Sequence, residues 1–172
     1  MSGTAINTAQ DLIKKYKIST PVDLGALLKK LGISLKVSPL ESMSGFAYQK
    51  DGQKVIGVNQ GDGDHRQRFT VAHELGHMLL HANSDVLFDR KNDFVYFRDG
   101  NSSTGLHARE VEANAFAAEL LMPSDHLRSR ISKLGGVDLM ADDDKVKRLA
   151  EGYNVSFTAM SVRIDSLVKH GI

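Results

Sequence analysis

Apolar residues recur along the chain with two different periods, and the change between them outlines the secondary structure. Residues 6–16 follow the helical period of 3.6. A second helix, VDLGALLKKLG, is predicted to open at Pro21, behind Thr20 as its cap, and to end at Gly32. Residues 33–40 alternate instead, and so do FAYQK and QKVIGVN on either side of an Asp-Gly pair. A strand and then a hairpin are therefore predicted.

Helical periodicity returns after the hairpin and dominates the rest of the chain. The two strongest helical segments are RQRFTVAHELGHMLLH at 66–81 and HAREVEANAFAAELLMP at 107–123. A short strand candidate, FVYF at 94–97, lies between them in a loop-rich stretch. Three further helices are predicted after Pro123, so the strands are concentrated in the first half of the chain and the helices in the second.

Composition narrows the possible function classes. With 172 residues, 41% hydrophobic and 25% charged, the chain suits one soluble domain or a domain with a small appendage. A net charge of +1 provides no basic field of the kind that attracts nucleic acid. The chain has no cysteine, which excludes disulfides, thiolate metal sites and cysteine nucleophiles. Since no signal peptide or bilayer-spanning run is visible, we expect a cytoplasmic protein without a membrane partner.

The segment HELGH places two metal-binding side chains and a carboxylate at helical spacing. Residues four apart lie about 6 Å apart along a helix axis and about 40° around it, so His73 and His77 can share one cation. Glu74 lies about 100° further round, beside that cation, where it can accept a proton from water. This pattern predicts two zinc ligands and a general base. His81 lies about 12 Å along the axis from His73, and we expect it to end the helix instead.

A catalytic zinc needs a third protein ligand, which the second long helix can supply. Glu110 shares a helical face with alanines that would let this helix pack closely on the histidine helix, so Glu110 is the predicted ligand. Asn114, one turn later, can accept a hydrogen bond from the second ring nitrogen of a ligating histidine. Glu112 and Glu119 lie on the opposite face and are expected to be solvated.

RQRFTVAHELGHMLLH followed by EVEANAFAAELLMP resembles the paired signatures of the ImmA/IrrE metallopeptidases, and the resemblance covers residues 44–124. It implies an α+β fold of the minimal zincin type. In such a fold a small three-stranded sheet packs on the HExxH helix and on a second ligand-bearing helix, with extra N- and C-terminal helices. The resemblance also implies that His73, His77 and Glu110 bind zinc and that Glu74 is the catalytic base.

The resemblance further implies a substrate. Several members of the family cleave a helix-turn-helix repressor and so release transcription, and we expect such a protein as substrate.

Two candidates for a hydrogen bond to the oxyanion, Tyr96 and His107, lie in or beside the loop that precedes the second signature. A free sheet edge at 44–48 is expected to pair with an extended peptide. Gluzincins often have aspartate where this chain has Asn114, which predicts a weaker orienting role.

The C-terminal third supports a rival interpretation. Residues 146–167 have the rhythm of a helix-turn-helix and could bind DNA. Positive charge there comes from Lys145, Lys147, Arg148 and Arg163. Three preceding aspartates favour helices that merely support the peptidase. We therefore predict a metallopeptidase domain at 1–125 and a helical segment at 126–172. The alternative is a DNA- or protein-binding transcriptional regulator with a structural or vestigial metal site.

Overall fold

Seven helices and four strands make up the part of the chain that the computed structural model describes, residues 2–81, 86–90 and 105–170. In chain order they are α1 (Ser2–Tyr16), α2 (Leu24–Lys30), β1 (Ser34–Ser38), β2 (Met43–Lys50), β3 (Gln53–Asn59), α3 (Asp64–Leu80), β4 (Val86–Arg90), α4 (Gly105–Leu121), α5 (Ser124–Lys133), α6 (Asp143–Tyr153) and α7 (Phe157–His170). The predicted α+β class is confirmed.

The strands form one sheet in the order β1-β3-β2-β4. β2 and β3 are the predicted antiparallel hairpin, which turns at Asp51 and Gly52, both with positive φ. β1 runs parallel to β3, and β4 runs antiparallel to β2. The sheet thus contains the three predicted strands and a fourth, β4, that the sequence pattern did not predict. The strand candidate at 94–97 lies outside the described residues.

The second helix begins later than predicted. Asp23, rather than Thr20, is its N-cap, because the Oδ1 of Asp23 accepts a hydrogen bond from the backbone N–H of Ala26 at 2.9 Å. The helix therefore starts at Leu24, and Gly32 follows its end with φ 68. Both aspartate and threonine are common caps, so the residue type alone did not decide between them.

The two longest helices form the layer that positions the site. α3 packs against β2 and β3, and α4 packs against both α3 and α1. Leu75 of α3 and Phe116 and Leu120 of α4 are completely buried in the shared core. α4 is therefore enclosed by helices on more than one side, which decides the environment of every carboxylate it carries.

The C-terminal helices contribute to the same hydrophobic core, through Leu149 of α6 and Ile164 of α7. Arg68 of α3 donates hydrogen bonds to the carbonyl oxygens of Asn154, between α6 and α7, and of Val22. The division at residues 125 and 126 stays a prediction. Among the helices of the described ranges, none has the length and apolar character required to cross a bilayer.

Candidate metal centre

His73, His77 and Glu110 meet between α3 and α4. The Nε2 atoms of the two histidines are 3.0 Å apart, and each lies 3.1 Å from one carboxylate oxygen of Glu110. The histidine side chains are only 2% and 4% exposed, whereas that of Glu110 is 34% exposed. Solvent therefore reaches the cluster from the Glu110 side.

The chemistry of these three side chains fits a divalent cation. When both histidines carry the ring proton on Nδ1, their Nε2 lone pairs, 3.0 Å apart, face each other and the Glu110 carboxylate, and a cation relieves the repulsion between these acceptors. Ligands at about 2.0–2.1 Å from a tetrahedral zinc ion lie about 3.3 Å apart, close to the separations in this cluster. Two histidines and one glutamate also form a known catalytic zinc ligand set, with the fourth position open to water or substrate.

Asn114 holds the ring of His73 in the orientation that this chemistry needs. Its Oδ1 lies 3.0 Å from Nδ1 of His73 in a buried contact. An amide oxygen only accepts hydrogen bonds, so the ring proton belongs on Nδ1 and the lone pair of Nε2 faces the cluster. The structure thus places Asn114 against the nitrogen that helical spacing predicted for it.

Gly76 allows α3 and α4 to approach closely enough for Glu110 to reach both histidines. A Cβ at this position would lie 3.0 Å from Cδ1 of Phe116 and 3.2 Å from the Cα and carbonyl oxygen of Ala113. The sequence interpretation did not single out Gly76. A glycine inside a helical pattern does signal close packing, and that signal would have found it.

Glu74 is completely buried and lies against the sheet. A Cβ on Gly45 of β2 would come within 3.5 Å of Cγ of Glu74 and within 2.4 Å of Cγ2 of Thr70. The base predicted from the sequence therefore lies where Gly45 allows α3 and β2 to approach closely. Neither Gly45 nor Thr70 was predicted to belong to the site, because their proximity depends on how the hairpin packs on α3.

The electrostatics of Glu110 favour its ionised form. Burial alone would raise the pKa of this carboxyl, but the facing imidazoles of His73 and His77 favour the ionised carboxylate and hold its pKa well below its ordinary value. An ionised carboxylate is the form that binds a cation. His81 lies apart from the cluster, as predicted, with its Nε2 3.6 Å from Glu112, and burial lowers the pKa of His81.

The prediction that Glu119 is solvated is wrong, since this residue is only 1% exposed. Its carboxylate pairs with Arg163 and accepts hydrogen bonds from the backbone N–H and hydroxyl of Ser124 at 3.1 and 2.9 Å. The side-chain amide of Gln10 donates another at 3.1 Å. The helical wheel placed Glu119 opposite the site correctly, but α1 and α7 cover that face.

The same ion pair removes Arg163 from the surface proposed to bind DNA. Arg163 is 6% exposed and directed into the molecule. Lys145 and Lys147 lie 3.0 and 3.7 Å from aspartates at the start of α6. Residues 146–167 thus present less uncompensated positive charge to a phosphate backbone than the sequence suggested.

The predicted free edge at 44–48 is wrong. β2 pairs with β3 on one side and with β4 on the other, with Ala47 opposite Leu87 in the second pairing. The chain returns to the sheet after α3 and covers this edge, which sequence spacing could not show.

The two candidate oxyanion donors differ in position. His107 lies in the first turn of α4, three residues before Glu110, and is half-buried. Tyr96 lies outside the described residues. A side chain one helical turn from a ligand can approach the same cleft, which keeps His107 as a candidate.

Comparisons with known proteins bear on the whole domain. A family model described as the IrrE N-terminal-like domain matches residues 28–165. The chain is 32% identical over 118 residues to an uncharacterized immunity region protein of Bacillus phage phi105, covering 66% of this chain and 65% of that protein. It is also similar to radiation response metalloproteases IrrE of two Deinococcus species. The identity is 33% over 104 residues for Deinococcus deserti and 32% over 129 residues for Deinococcus radiodurans.

These relatives are longer than the region they share with this chain. The matches cover 60% and 73% of the present chain but only 34% and 37% of the two Deinococcus proteins. The fold is similar to that of a solved Mycobacterium tuberculosis transcriptional regulator, with a TM-score of 0.61 and 18% identity. That likeness covers 92% of this chain and 45% of the other, and at this identity it shows the fold alone.

Proposed function

Because the chain belongs to the IrrE N-terminal-like domain family, we propose that it is a zinc-dependent endopeptidase that cleaves a helix-turn-helix transcriptional repressor. The observation that carries the hydrolase part is the convergence of His73, His77 and Glu110 on one point, with Glu74 beside them in the chain. The family and the metalloprotease relatives imply a metal, and the ligand set supports zinc.

The substrate part rests on different support. One relative is named for a phage immunity region, and two are named for a radiation response. Such responses are changes of regulation, for which a regulatory protein is the fitting substrate. A repressor also agrees with the substrates of the family that the two signature segments resemble.

Each residue of the centre has a definite role in the proposed reaction. Zinc held by His73, His77 and Glu110 would supply Lewis-acid activation of a water and of the scissile carbonyl. Glu74 accepts the proton of that water and delivers it to the leaving amine nitrogen. Asn114 keeps the Nδ1 proton of His73 in place, so that Nε2 stays a ligand throughout. Two residues are candidates to donate a hydrogen bond to the oxyanion: His107, which lies within the described residues, and Tyr96, which lies outside them.

Glu74→Gln tests the hydrolase. The zinc-loaded protein is incubated with a purified helix-turn-helix repressor from the same genome, and the products are identified by mass spectrometry. We expect one metal-dependent cut, and in Glu74→Gln a rate lower by about 10²–10⁴-fold, since a general base contributes that much. Zinc content should be unchanged, because Glu74 is not a ligand.

Glu112→Gln is the matched control. Glu112 lies on α4 near the metal cluster but does not belong to it, and its carboxylate is 3.6 Å from Nε2 of His81. Cleavage by Glu74→Gln at the wild-type rate would refute the hydrolase. Regulation in cells that survives Glu74→Gln would favour the binding-regulator alternative. A cut in some other regulatory protein, with the repressor left intact, would refute only the substrate.

A further inference from the structure

Thr70, one helical turn before Glu74, carries a hydroxyl group with no assigned role. The residue is 0% exposed, and its Oγ1 has no hydrogen-bond partner in the described part of the chain. Buried hydroxyl groups in native proteins nearly always have a partner, because desolvation without one is unfavourable. A donor that is kept buried beside a reaction centre therefore calls for an explanation.

Packing against the sheet restricts this side chain. The Cγ2 methyl of Thr70 lies so near to β2 that a Cβ on Gly45 would be 2.4 Å from it. Because threonine is branched at Cβ, a fixed methyl group also fixes the hydroxyl group. The same glycine would meet Cγ of Glu74 at 3.5 Å, so the side chains of Thr70 and Glu74 pack against a single position of β2.

We propose that Thr70 is a positioning residue for Glu74: its hydroxyl donates a hydrogen bond, directly or through one water, to the Glu74 carboxylate during cleavage. This inference rests on the proposed function, because the role of Glu74 is part of it. Side chains four residues apart lie on one helical face, about 6 Å apart along the axis, and can interact. The hydroxyl keeps its own proton, so it orients the carboxylate without competing for the proton from water.

Two substitutions separate the hydroxyl from the methyl group. Thr70→Val keeps the branched shape and removes the donor, whereas Thr70→Ser keeps the donor and removes the methyl. With the zinc-loaded protein and the repressor substrate, we expect Thr70→Val to lower kcat about tenfold, the effect of one lost hydrogen bond, with KM nearly unchanged. Thr70→Ser, which keeps the hydroxyl donor, should have a kcat near the wild-type value.

Binding of benzohydroxamate to the zinc-loaded protein gives a readout that needs no substrate. This zinc-binding group also forms a hydrogen bond with a correctly oriented base. Calorimetry should show a Kd raised about five- to tenfold in Thr70→Val and unchanged in Thr70→Ser. Thr8→Val is the matched control, because Thr8 lies on α1 and its hydroxyl donates to the Thr4 carbonyl oxygen at 2.8 Å. Zinc content and Tm are measured for every variant.

The possible outcomes divide clearly. Wild-type kcat and wild-type Kd in Thr70→Val would overturn the inference, and so would a loss confined to Thr70→Ser, which indicates packing alone. If Thr70→Val does not fold, Thr70→Ala replaces it, with the same comparison to Thr70→Ser. Normal cleavage by Glu74→Gln refutes the proposed function itself. An inactive Glu74→Gln beside a fully active Thr70→Val refutes only the role of Thr70.

Discussion

The two ends of α4 carry carboxylates in contrasting surroundings. Near the N-terminal end, Glu110 faces the Nε2 atoms of two histidines and keeps 34% of its side chain exposed. Near the C-terminal end, Glu119 is enclosed and receives hydrogen bonds from Arg163, Ser124 and Gln10. Both residues belong to the same helix, and only one of them lies in a centre that can bind a cation.

The difference shows that a metal site is distinguished from a structural contact by the kind of group that faces the carboxylate, more than by how deeply the carboxylate is buried. Every partner of Glu119 is a donor, and one is a guanidinium, so its charge is neutralised and its lone pairs are used. Glu110 meets imidazole nitrogens, and one of these imidazoles has its proton held on the far side by Asn114. Acceptors that converge need a cation from outside the chain, whereas a carboxylate surrounded by donors needs none.

Glu110→Gln should produce the largest loss of cleavage, because Glu110 is the proposed metal ligand near the N-terminal end of α4. Removing a charged ligand should reduce cleavage about a thousandfold, because the metal contributes several kcal/mol to the transition state. The Tm of the zinc-free protein should hardly change. Zinc content by atomic absorption and Tm with and without chelator check both expectations. Full zinc binding and activity in this variant would exclude Glu110 as a ligand.

Glu119→Gln should lower the stability of the protein and leave its activity unchanged. Breaking a buried ion pair leaves the Arg163 charge uncompensated, so the free energy of unfolding should fall by about 3–5 kcal/mol. Urea unfolding monitored by circular dichroism measures this loss. Cleavage per folded, zinc-loaded molecule should stay near the wild-type rate. A stable but inactive Glu119→Gln protein would contradict the contrast between the two carboxylates, because it would show that Glu119 is required for cleavage rather than for stability.

Asn114→Ala sharpens the comparison at a smaller scale. Loss of an outer hydrogen-bond partner typically weakens metal affinity about 10–100-fold, and we expect the zinc Kd to rise by that amount. Competition with a chromophoric chelator measures the Kd. Asn114→Asp is the control, since a carboxylate can accept the same hydrogen bond, and it should retain or increase the affinity. Equal zinc affinity in all three proteins would show that the Asn114 contact with His73 does not tune the centre.

Local helix geometry explains why much of the centre was predictable. His73, Glu74 and His77 are close in sequence, so their relative placement follows from 3.6 residues per turn alone. The choice of Glu110 needed one more step, namely that a face of small residues packs closely against another helix. The structure places that side chain 3.1 Å from both histidines.

Non-local packing explains the predictions that were wrong. The burial of Glu119 depends on Gln10 in α1 and Arg163 in α7, which are far from it along the chain. The covered edge of β2 depends on β4, whose pairing is set by the path of the chain after α3. A helical wheel shows which residues share a face, but it contains no information on what that face meets.

By itself, the sequence determined the elements that have strong periodicity, the His-Glu-His arrangement on one helix and the family to which its two signature segments point. These properties follow from short-range geometry and residue chemistry. Only the tertiary structure decided that Glu119 is buried and neutralised by Arg163, and that Thr70 and Gly45 lie against Glu74. The physical reason is that burial and charge compensation depend on contacts between segments distant in the chain, and those contacts form only when the helices and the sheet pack together.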